Sequence, residues 1–263
     1  MKSIARQQFL LSKANKSNFV SIPDSAQELK VSVETIRRDI NILCDQKKLK
    51  KVHGGAVPIQ TAIKKDPPYS QRLQRNFSGK DAVGIAAAAL VRDGNVVSMD
   101  GGATTAFVAQ HIRDVKNVTF VVNSLHIADI LASKFESGEI TGNLILIGGD
   151  VRFPERSVID AYALEQLSRF RFDVVFASAS SVSTVGVSNT TLSGVFVGQL
   201  LRRAAVTVLV MDSEKLGGTS TYQFAMPNDF DHIITDDLHP FPQDLMELLN
   251  HSDTQLTIVS CKK

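Results

Sequence analysis

The chain has 263 residues, 43% of them hydrophobic and 21% charged, with a formal net charge of +2, the composition of an ordinary soluble globular protein of one or two domains. Its two cysteines, Cys44 and Cys261, exclude a disulfide framework, and its six histidines form neither an HExxH motif nor a Cys/His cluster, so neither a metal site nor a cofactor is expected. The small total charge hides an asymmetry: residues 1–65 hold 13 Lys and Arg against 5 Asp and Glu, a net of +8 that leaves −6 on the remainder, so the basic end is the candidate for nucleic acid.

The opening, MKSIARQQFLLSKANK, has too short an apolar run for a signal peptide, and nothing further on approaches membrane-spanning length. A cytoplasmic protein with no membrane contact is expected. Residues 3–13 read as a first helix, with Ile4, Phe9 and Leu10 supplying a small three-helix core, and SNFVSI as a short extended stretch. Residues 24–30 (DSAQELK) read as a short helix, followed by a tight turn at Val31. Ser32 is a good N-cap, because its hydroxyl can accept from an orphan backbone N–H.

After Ser32, Ile36, Ile40 and Leu43 recur at helical spacing as one apolar stripe, while Glu34, Thr35, Arg37, Arg38 and Asn41 fall largely on the other side. A helix bearing two arginines is, taken alone, usually just a solvated face. Here it follows a short helix and a tight turn, the order of a helix-turn-helix, and its exposed residues suit a helix that grips phosphates and touches base edges in a major groove. LKKV, with Lys50 and Lys51, then leads into His53-Gly54-Gly55, where two glycines permit the positive φ of a tight turn. That pattern predicts a basic β-wing.

The polar, proline-bearing run 60–70, with Lys64-Lys65 and Pro67-Pro68, continues neither helix nor central strand easily. The expected organisation is a winged helix-turn-helix at 1–58, a linker at 59–75 and an α/β domain at 76–263. In that last part helices are predicted at 81–91, 104–113, 125–135, 195–204 and 244–249. They alternate with the strand-like runs NVVSMD, VTFVV, LILIGG, FDVVFASAS, VTVLVMD, HIITD and LTIVS. Short β-branched runs separated by helices argue for a largely parallel sheet covered on both faces, whose ligands sit outside the carboxyl ends of the strands.

The strand ends therefore supply the candidate site. NVVSMD ends in Asp100-Gly101-Gly102-Ala103-Thr104-Thr105, a glycine turn feeding a helix N-terminus that can hold an anion. VTFVV leads to Asn123-Ser124, LILI to Gly148-Gly149, and VTVLVM to a segment containing Asp212 and Lys215. Each has an innocent account as a cap, a turn or a solvated lysine. Together they outline a polyol-phosphate pocket, with lysine and N–H groups for phosphate and Asp and Asn for hydroxyls.

Two groups of residues also carry a family resemblance. Val31-Ser32, Glu34-Thr35-Ile36-Arg37-Arg38-Asp39-Ile40 and His53-Gly54-Gly55-Ala56 resemble the winged helix-turn-helix of the DeoR/GlpR family of bacterial sugar-metabolism regulators. The resemblance implies that Thr35, Arg37, Arg38 and Asn41 enter operator DNA. Tyr69, Arg72, Lys80, the Asp100 glycine loop, Asn123-Ser124, Gly148-Gly149 and residues 212–217 are similar to the family's effector domain. The resemblance implies a fold like ribose-phosphate isomerase and CoA-transferase, and a phosphorylated sugar or related metabolite as effector. The chain departs from the family at Ala103, where Ser or Thr is usual, and at Val122, where Thr often precedes Asn-Ser. Asp160 falls near a usual glycine and Gly198 near a usual helix lysine.

The expectation is a sequence-specific repressor of carbohydrate-metabolism genes, acting as a homo-oligomer on double-stranded operator DNA under control of a small anionic metabolite. The rival is an isomerase- or transferase-like enzyme with an appended DNA-binding module, for which Asp100, Asp212 and Lys215 would supply acid, base and electrophile. No nucleophile-and-base pair or metal cluster shows in the sequence to support it. A Rossmann-type nucleotide binder would need the glycine fingerprint that the Asp100 loop lacks.

Overall fold

The computed structural model describes residues 3–17, 19–46, 48–52, 54–58, 67–153, 155–218 and 220–261. The chain divides into two compact units, 1–64 and 65–263.

The first unit runs α1 (Ser3–Ser17), β1 (Val20–Ser21), α2 (Ile22–Glu28), α3 (Val33–Asp45), β2 (Leu49–Val52) and β3 (Gly55–Pro58). The α2 helix starts two residues before the expected position. Ser21 caps it by accepting from Asp24 N at 3.3 Å, and Pro23 in the first turn lacks only a donor that would be orphaned anyway. Lys30, at φ 52°, makes the turn into α3. Ile36, Ile40 and Leu43 of α3 are buried with Leu10, Ala14, Val20 and Leu49, so the apolar stripe is the face that packs. Burying each such leucine or isoleucine contributes about 1.5 to 3 kcal/mol. Strands β2 and β3 pair antiparallel from Leu49↔Pro58 to Val52↔Gly55, forming the expected wing, and β1 adds to its other edge. Gly54 stands at the tip with φ 77°, a backbone conformation open to glycine at no steric cost.

Asp39 was not anticipated as a structural residue. It lies on α3 at 2% exposure and accepts from Arg6 Nε at 2.7 Å, Gln7 Nε2 at 3.0 Å and Ser3 Oγ at 2.9 Å. Burial alone acts to raise its pKa, but these hydrogen bonds and the Arg6 charge outweigh it, and the carboxyl sits below its ordinary value.

The second unit begins with α4 (Tyr69–Gln74) and α5 (Phe77–Ala88), followed by β4 (Val96–Met99), α6 (Ala103–His111), β5 (Val118–Val122), α7 (Leu125–Glu136) and β6 (Gly142–Leu146). Next come β7 (Val151–Arg152), β8 (Ser157–Val158), α8 (Ala161–Leu167), β9 (Phe172–Ala177), β10 (Ser181–Ser183), β11 (Gly186–Asn189), α9 (Thr191–Leu201) and β12 (Ala204–Val210). The chain ends with β13 (Tyr222–Ala225), β14 (His232–Asp236), α10 (Gln243–Asn250) and β15 (Gln255–Val259). Seven strands form one sheet in the order β15-β14-β12-β9-β4-β5-β6, with every pairing parallel.

The winding starts at β4, moves outward through β5 to β6, then returns to lay β9 on the other side of β4 and continues to β15. The connections diverge between β4 and β9, the switch point at which doubly wound sheets open a crevice. Period-two alternation explains why both faces are covered. Phe120, Val122, Val174, Phe176, Val208 and Val210 enter one core, while Val121 and Val175 enter a second and Leu209 a third.

Several features of the second unit differ from the sequence expectation; α5 and α9 each begin four residues before the expected 81 and 195. Within the stretch expected as linker, Tyr69–Gln74 is a helix, because Tyr69 is 2% exposed and its ring meets that of His126 edge-on at 5.7 Å. The β7–β8 hairpin and α8 are additional. Asp160, expected near a usual glycine, is the N-cap of α8 and accepts from Ala163 N at 2.8 Å and Asp150 N at 2.6 Å. Finally, β10, β11 and β13 form a separate three-stranded antiparallel sheet.

Candidate functional site

In the first unit, Ser32 caps α3 through Thr35 N at 3.2 Å, and the Thr35 hydroxyl sits 2.8 Å from that of Ser32. Ser32, Glu34, Arg37 and Arg38 are exposed, with Thr35 and Asn41 half-buried beside them. Arg37 Nη1 donates to Glu34 Oε2 at 2.8 Å, one helical turn away. On the wing, Lys50, Lys51 and Gly54 are exposed, whereas His53 lies outside the described residues. The predicted contact residues thus form the open side of a packed helix plus the open side of a hairpin.

In the second unit the site grows from the switch point. Asp100 N donates to Phe176 O at 3.1 Å, extending the β4–β9 pairing by one residue. Its side chain then closes the loop: Oδ1 accepts from Gly102 N at 3.0 Å and Thr105 Oγ1 at 2.9 Å, and Oδ2 from Ser178 N at 2.9 Å and Ser178 Oγ at 2.8 Å. Burial pushes the Asp100 pKa up, and the donors from Ser178, Thr105 and Gly102 offset only part of that. Four protein donors use the acceptor capacity of one carboxylate. Asp100 therefore shapes the turn, its carboxyl largely taken up by the protein, with the Thr105 hydroxyl shared with the carbonyls of residue 100 and Gly102.

The turn needs glycine for contact reasons. A Cβ on Gly102 would lie 2.0 Å from Ser178 Oγ and 2.6 Å from its Cβ. As N-cap of α6, Gly102 also brings no side chain to the helix's first N–H groups, so the positive end of the helix opens onto the crevice.

Around this turn lies a cleft of about 180 Å³. Residues 100–104, Asn123, residues 178–180, and Asp212, Glu214 and Lys215 enter it from the ends of β4, β5, β9 and β12. Pro67, Pro68, Arg72 and Arg75 come from α4 and the turn before it, Lys80 from α5, and Glu155, Ser157 and Ile159 from the β7–β8 hairpin. Asn189, Thr190, Ser193, Phe196 and Val197 complete the wall from β11 and α9.

Cations and acceptors alternate along this lining. Lys80, only 3% exposed, has Nζ 3.0 Å from Asp212 Oδ2 and donates to the Arg75 carbonyl. Asp212 Oδ1 is buried without a donor, and so is Asn123 Oδ1, whose amide nitrogen donates to Val158 O at 2.8 Å. Buried acceptors without donors are uncommon enough to require an account, and a hydroxylated ligand would supply one. Arg72 Nε is buried without an acceptor, its guanidinium stacked on Tyr69 at 5.2 Å. Arg75 Nε donates to Glu214 Oε2 at 2.5 Å.

Eight of the twelve residues expected in the effector site line the cleft: Asp100, Gly101, Gly102, Ala103, Thr104, Asn123, Asp212 and Lys215. The other four do not. Thr105 turns its hydroxyl back onto Asp100, Ser124 caps α7 through Ile127 N at 3.4 Å, and Gly148 exchanges hydrogen bonds with Gln166. Gly149 packs against Asp160. Gly148 and Gly149 follow β6, an edge strand two places from β4, so the sheet order carries them away from the switch point. Gly198 faces Phe224, while its neighbour Val197 lines the cleft. Sequence reasoning did not single out Ser178, Arg75 or the α9 wall. The Ser178 signal was present, since FDVVFA ends immediately before it.

Residues 6–62 match the DeoR-like helix-turn-helix domain and residues 75–237 the DeoR C-terminal sensor domain. The HTH-type transcriptional regulator YgbI of Escherichia coli is 32% identical over 98% of both chains. The HTH-type transcriptional repressor GlcR of Bacillus subtilis is 31% identical over 88% of this chain and 86% of its own. The glycerol-3-phosphate regulon repressor of Escherichia coli is 25% identical over 98% of this chain and 100% of its own. A ribose-5-phosphate isomerase structure aligns over 52% of each chain at TM-score 0.38 and 14% identity. A 4-hydroxybutyrate CoA-transferase from Porphyromonas gingivalis aligns over 72% of this chain and 55% of its own at TM-score 0.39 and 11% identity. With both domain matches in sequence order and relatives aligned end to end, the chain belongs to the DeoR family of transcriptional regulators.

Proposed function

We propose that this regulator represses carbohydrate-metabolism genes by binding double-stranded operator DNA through α3 and the wing, under control of a small anionic, hydroxylated metabolite held in the switch-point cleft. The observation that carries the effector assignment is the pairing of opposite needs in one cleft. An open helix N-terminus with Lys80, Arg72 and Arg75 favours an anion, and the donorless Asp212 Oδ1 and Asn123 Oδ1 favour hydroxyl groups. A phosphorylated polyol has both. The glycerol-3-phosphate regulon repressor among the relatives points to the same class.

In this reading the cleft binds a ligand, and the serine–histidine–aspartate contact beside it, which does not line it, is structural. Ser213, His239 and Asp236 lie in hydrogen-bonding contact, but Ser213 Oγ donates to Asp236 Oδ1 at 2.6 Å and sits 3.1 Å from His239 Nδ1. In a nucleophilic triad the carboxylate orients the imidazole, which takes the serine proton. Here the carboxylate takes the serine directly, which makes the trio a clamp on the loop after β12.

A single small winged helix contacts few base pairs, so the working unit is a homo-oligomer that places two α3 helices on half-sites about 10 bp or a multiple apart. Selection of operator fragments from random duplex DNA, repeated with and without a panel of sugar phosphates, tests the whole assignment. Enrichment of a repeated half-site, with occupancy changed by one of the phosphates, is the expected result. No enrichment, or turnover of a sugar phosphate by the purified chain, overturns it.

A further inference from the structure

The four carboxylates lining the cleft are engaged differently. Asp100 is taken up by four protein donors, and Asp212 lies 3.0 Å from Lys80 in a pair whose side chains are 4% and 1% exposed. Glu155 lies 3.5 Å from Arg152, which does not line the cleft. Glu214 holds a cleft cation, Arg75, through a solvent-reached pair, with Arg75 64% and Glu214 27% exposed at the side chain.

Both partners are fixed at the backbone and free at the tip. Arg75 ends α4, and its carbonyl accepts from Lys80 Nζ. Glu214 sits on the 3₁₀ turn Ser213–Lys215, which Asp236 clamps by accepting from Ser213 N at 2.9 Å and Ser213 Oγ at 2.6 Å. An exposed ion pair contributes little and yields readily to a better partner. A phosphate is such a partner, because it can meet a guanidinium with two parallel hydrogen bonds.

We propose that Glu214 is a built-in competitor for the anionic ligand: its carboxylate occupies the Arg75 guanidinium until a ligand anion displaces it, so only an anion that gains more at Arg75 than this carboxylate does can take that guanidinium. A monoanion gains little by replacing a carboxylate already in place. A phosphate dianion brings more charge to the same guanidinium, so it takes Arg75 from Glu214 where a simple carboxylate does not. This rests on the cleft being the effector site.

Calorimetry on the full chain at low salt tests it, with sn-glycerol 3-phosphate and inorganic phosphate as probes and glycerate as the carboxylate counterpart. Glu214→Gln should tighten the probes by up to about fivefold, and the two phosphates at least as much as glycerate. Glu155→Gln should change them little, and the gain should vanish in Arg75→Gln/Glu214→Gln. Equal binding by wild type and Glu214→Gln, or an equal gain from Glu155→Gln, would overturn the competitor role while leaving the cleft an anion site. Failure of every probe to bind both wild type and Glu214→Gln would overturn the competitor and the cleft assignment together.

Discussion

Asp100 and Ser178 tie together the carboxyl ends of β4 and β9: one carboxylate oxygen accepts from both the backbone N–H and the hydroxyl of the same serine, at 2.9 and 2.8 Å. The connections of the sheet diverge between these two strands, so the tie fixes the width of the crevice in which the cleft forms.

Asp100→Ala should therefore act on stability before it acts on ligand contacts. It strands the N–H groups of Gly102 and Ser178 and the Ser178 hydroxyl, while the Thr105 hydroxyl keeps the carbonyls of residue 100 and Gly102, and each unsatisfied buried donor costs about 1 to 3 kcal/mol. Gly102→Ala, whose Cβ would meet Ser178, should be similarly damaging. Urea unfolding of both variants is the measurement. Loss of anion binding at unchanged stability would show instead that Asp100 contacts the ligand.

Lys80 and Asp212 separate folding from binding. Lys80→Met leaves Asp212 buried and unpaired and should destabilise by about 3 to 5 kcal/mol, whereas Lys80→Met with Asp212→Leu replaces the pair by apolar groups and should recover most of it. The double variant should fold and yet fail to bind sugar phosphates in calorimetry. Retained binding would move the anion site away from Lys80.

On the DNA side, Arg37→Ala and Arg38→Ala should each weaken a selected operator by about 1 to 3 kcal/mol if the arginine reads a guanine. Lys50→Ala or Lys51→Ala on the wing should weaken all sequences alike and flatten the log-affinity versus log-salt slope by about one. Fluorescence anisotropy titrations across a salt series distinguish the two patterns. Operator binding as tight as wild type in both arginine variants would exclude α3 as the reading helix.

Asp39 sets an acid limit on the first unit. Its folded pKa lies below the unfolded value of about 3.8, so its ionised form stabilises the fold fully above that value, and the contribution is lost as pH falls through the folded pKa. Amide exchange of residues 3–45 should rise across that window in wild type. In Asp39→Asn, protection should already be reduced at neutral pH and should lack this titration. Superimposable acid profiles would remove Asp39 as the source.

Light scattering should find a homo-oligomer at micromolar concentration, because one first unit offers a single α3 to DNA. A monomer with full operator affinity is the contrary result.

What the sequence determined by itself was local. The stripe of Ile36, Ile40 and Leu43, the Ser32 cap, the glycine turn of the wing and the apolar runs of the seven parallel strands are all set by periodicities of 3.6 and 2 and by the conformations that single residues tolerate. Those patterns were enough to tell the packed face of α3 from the open one. They also identified most strand ends that line the cleft.

Tertiary structure decided what depends on the order of strands in space. Gly148-Gly149 and Asp100-Gly101-Gly102 look alike as glycine turns after a strand, but β6 lies at the edge and β4 beside the switch point, so only the second joins the cleft. The short strands β7, β8, β10, β11 and β13 carry too few residues for a period of their own; β7 with β8 and β10 with β11 are tight hairpins, and β13 joins its sheet only through distant β11. Lys80 sits within the alanine-rich α5, and only the fold brings its ammonium to Asp212 at the end of β12. Its chemistry is created by a non-local contact, which no local pattern records.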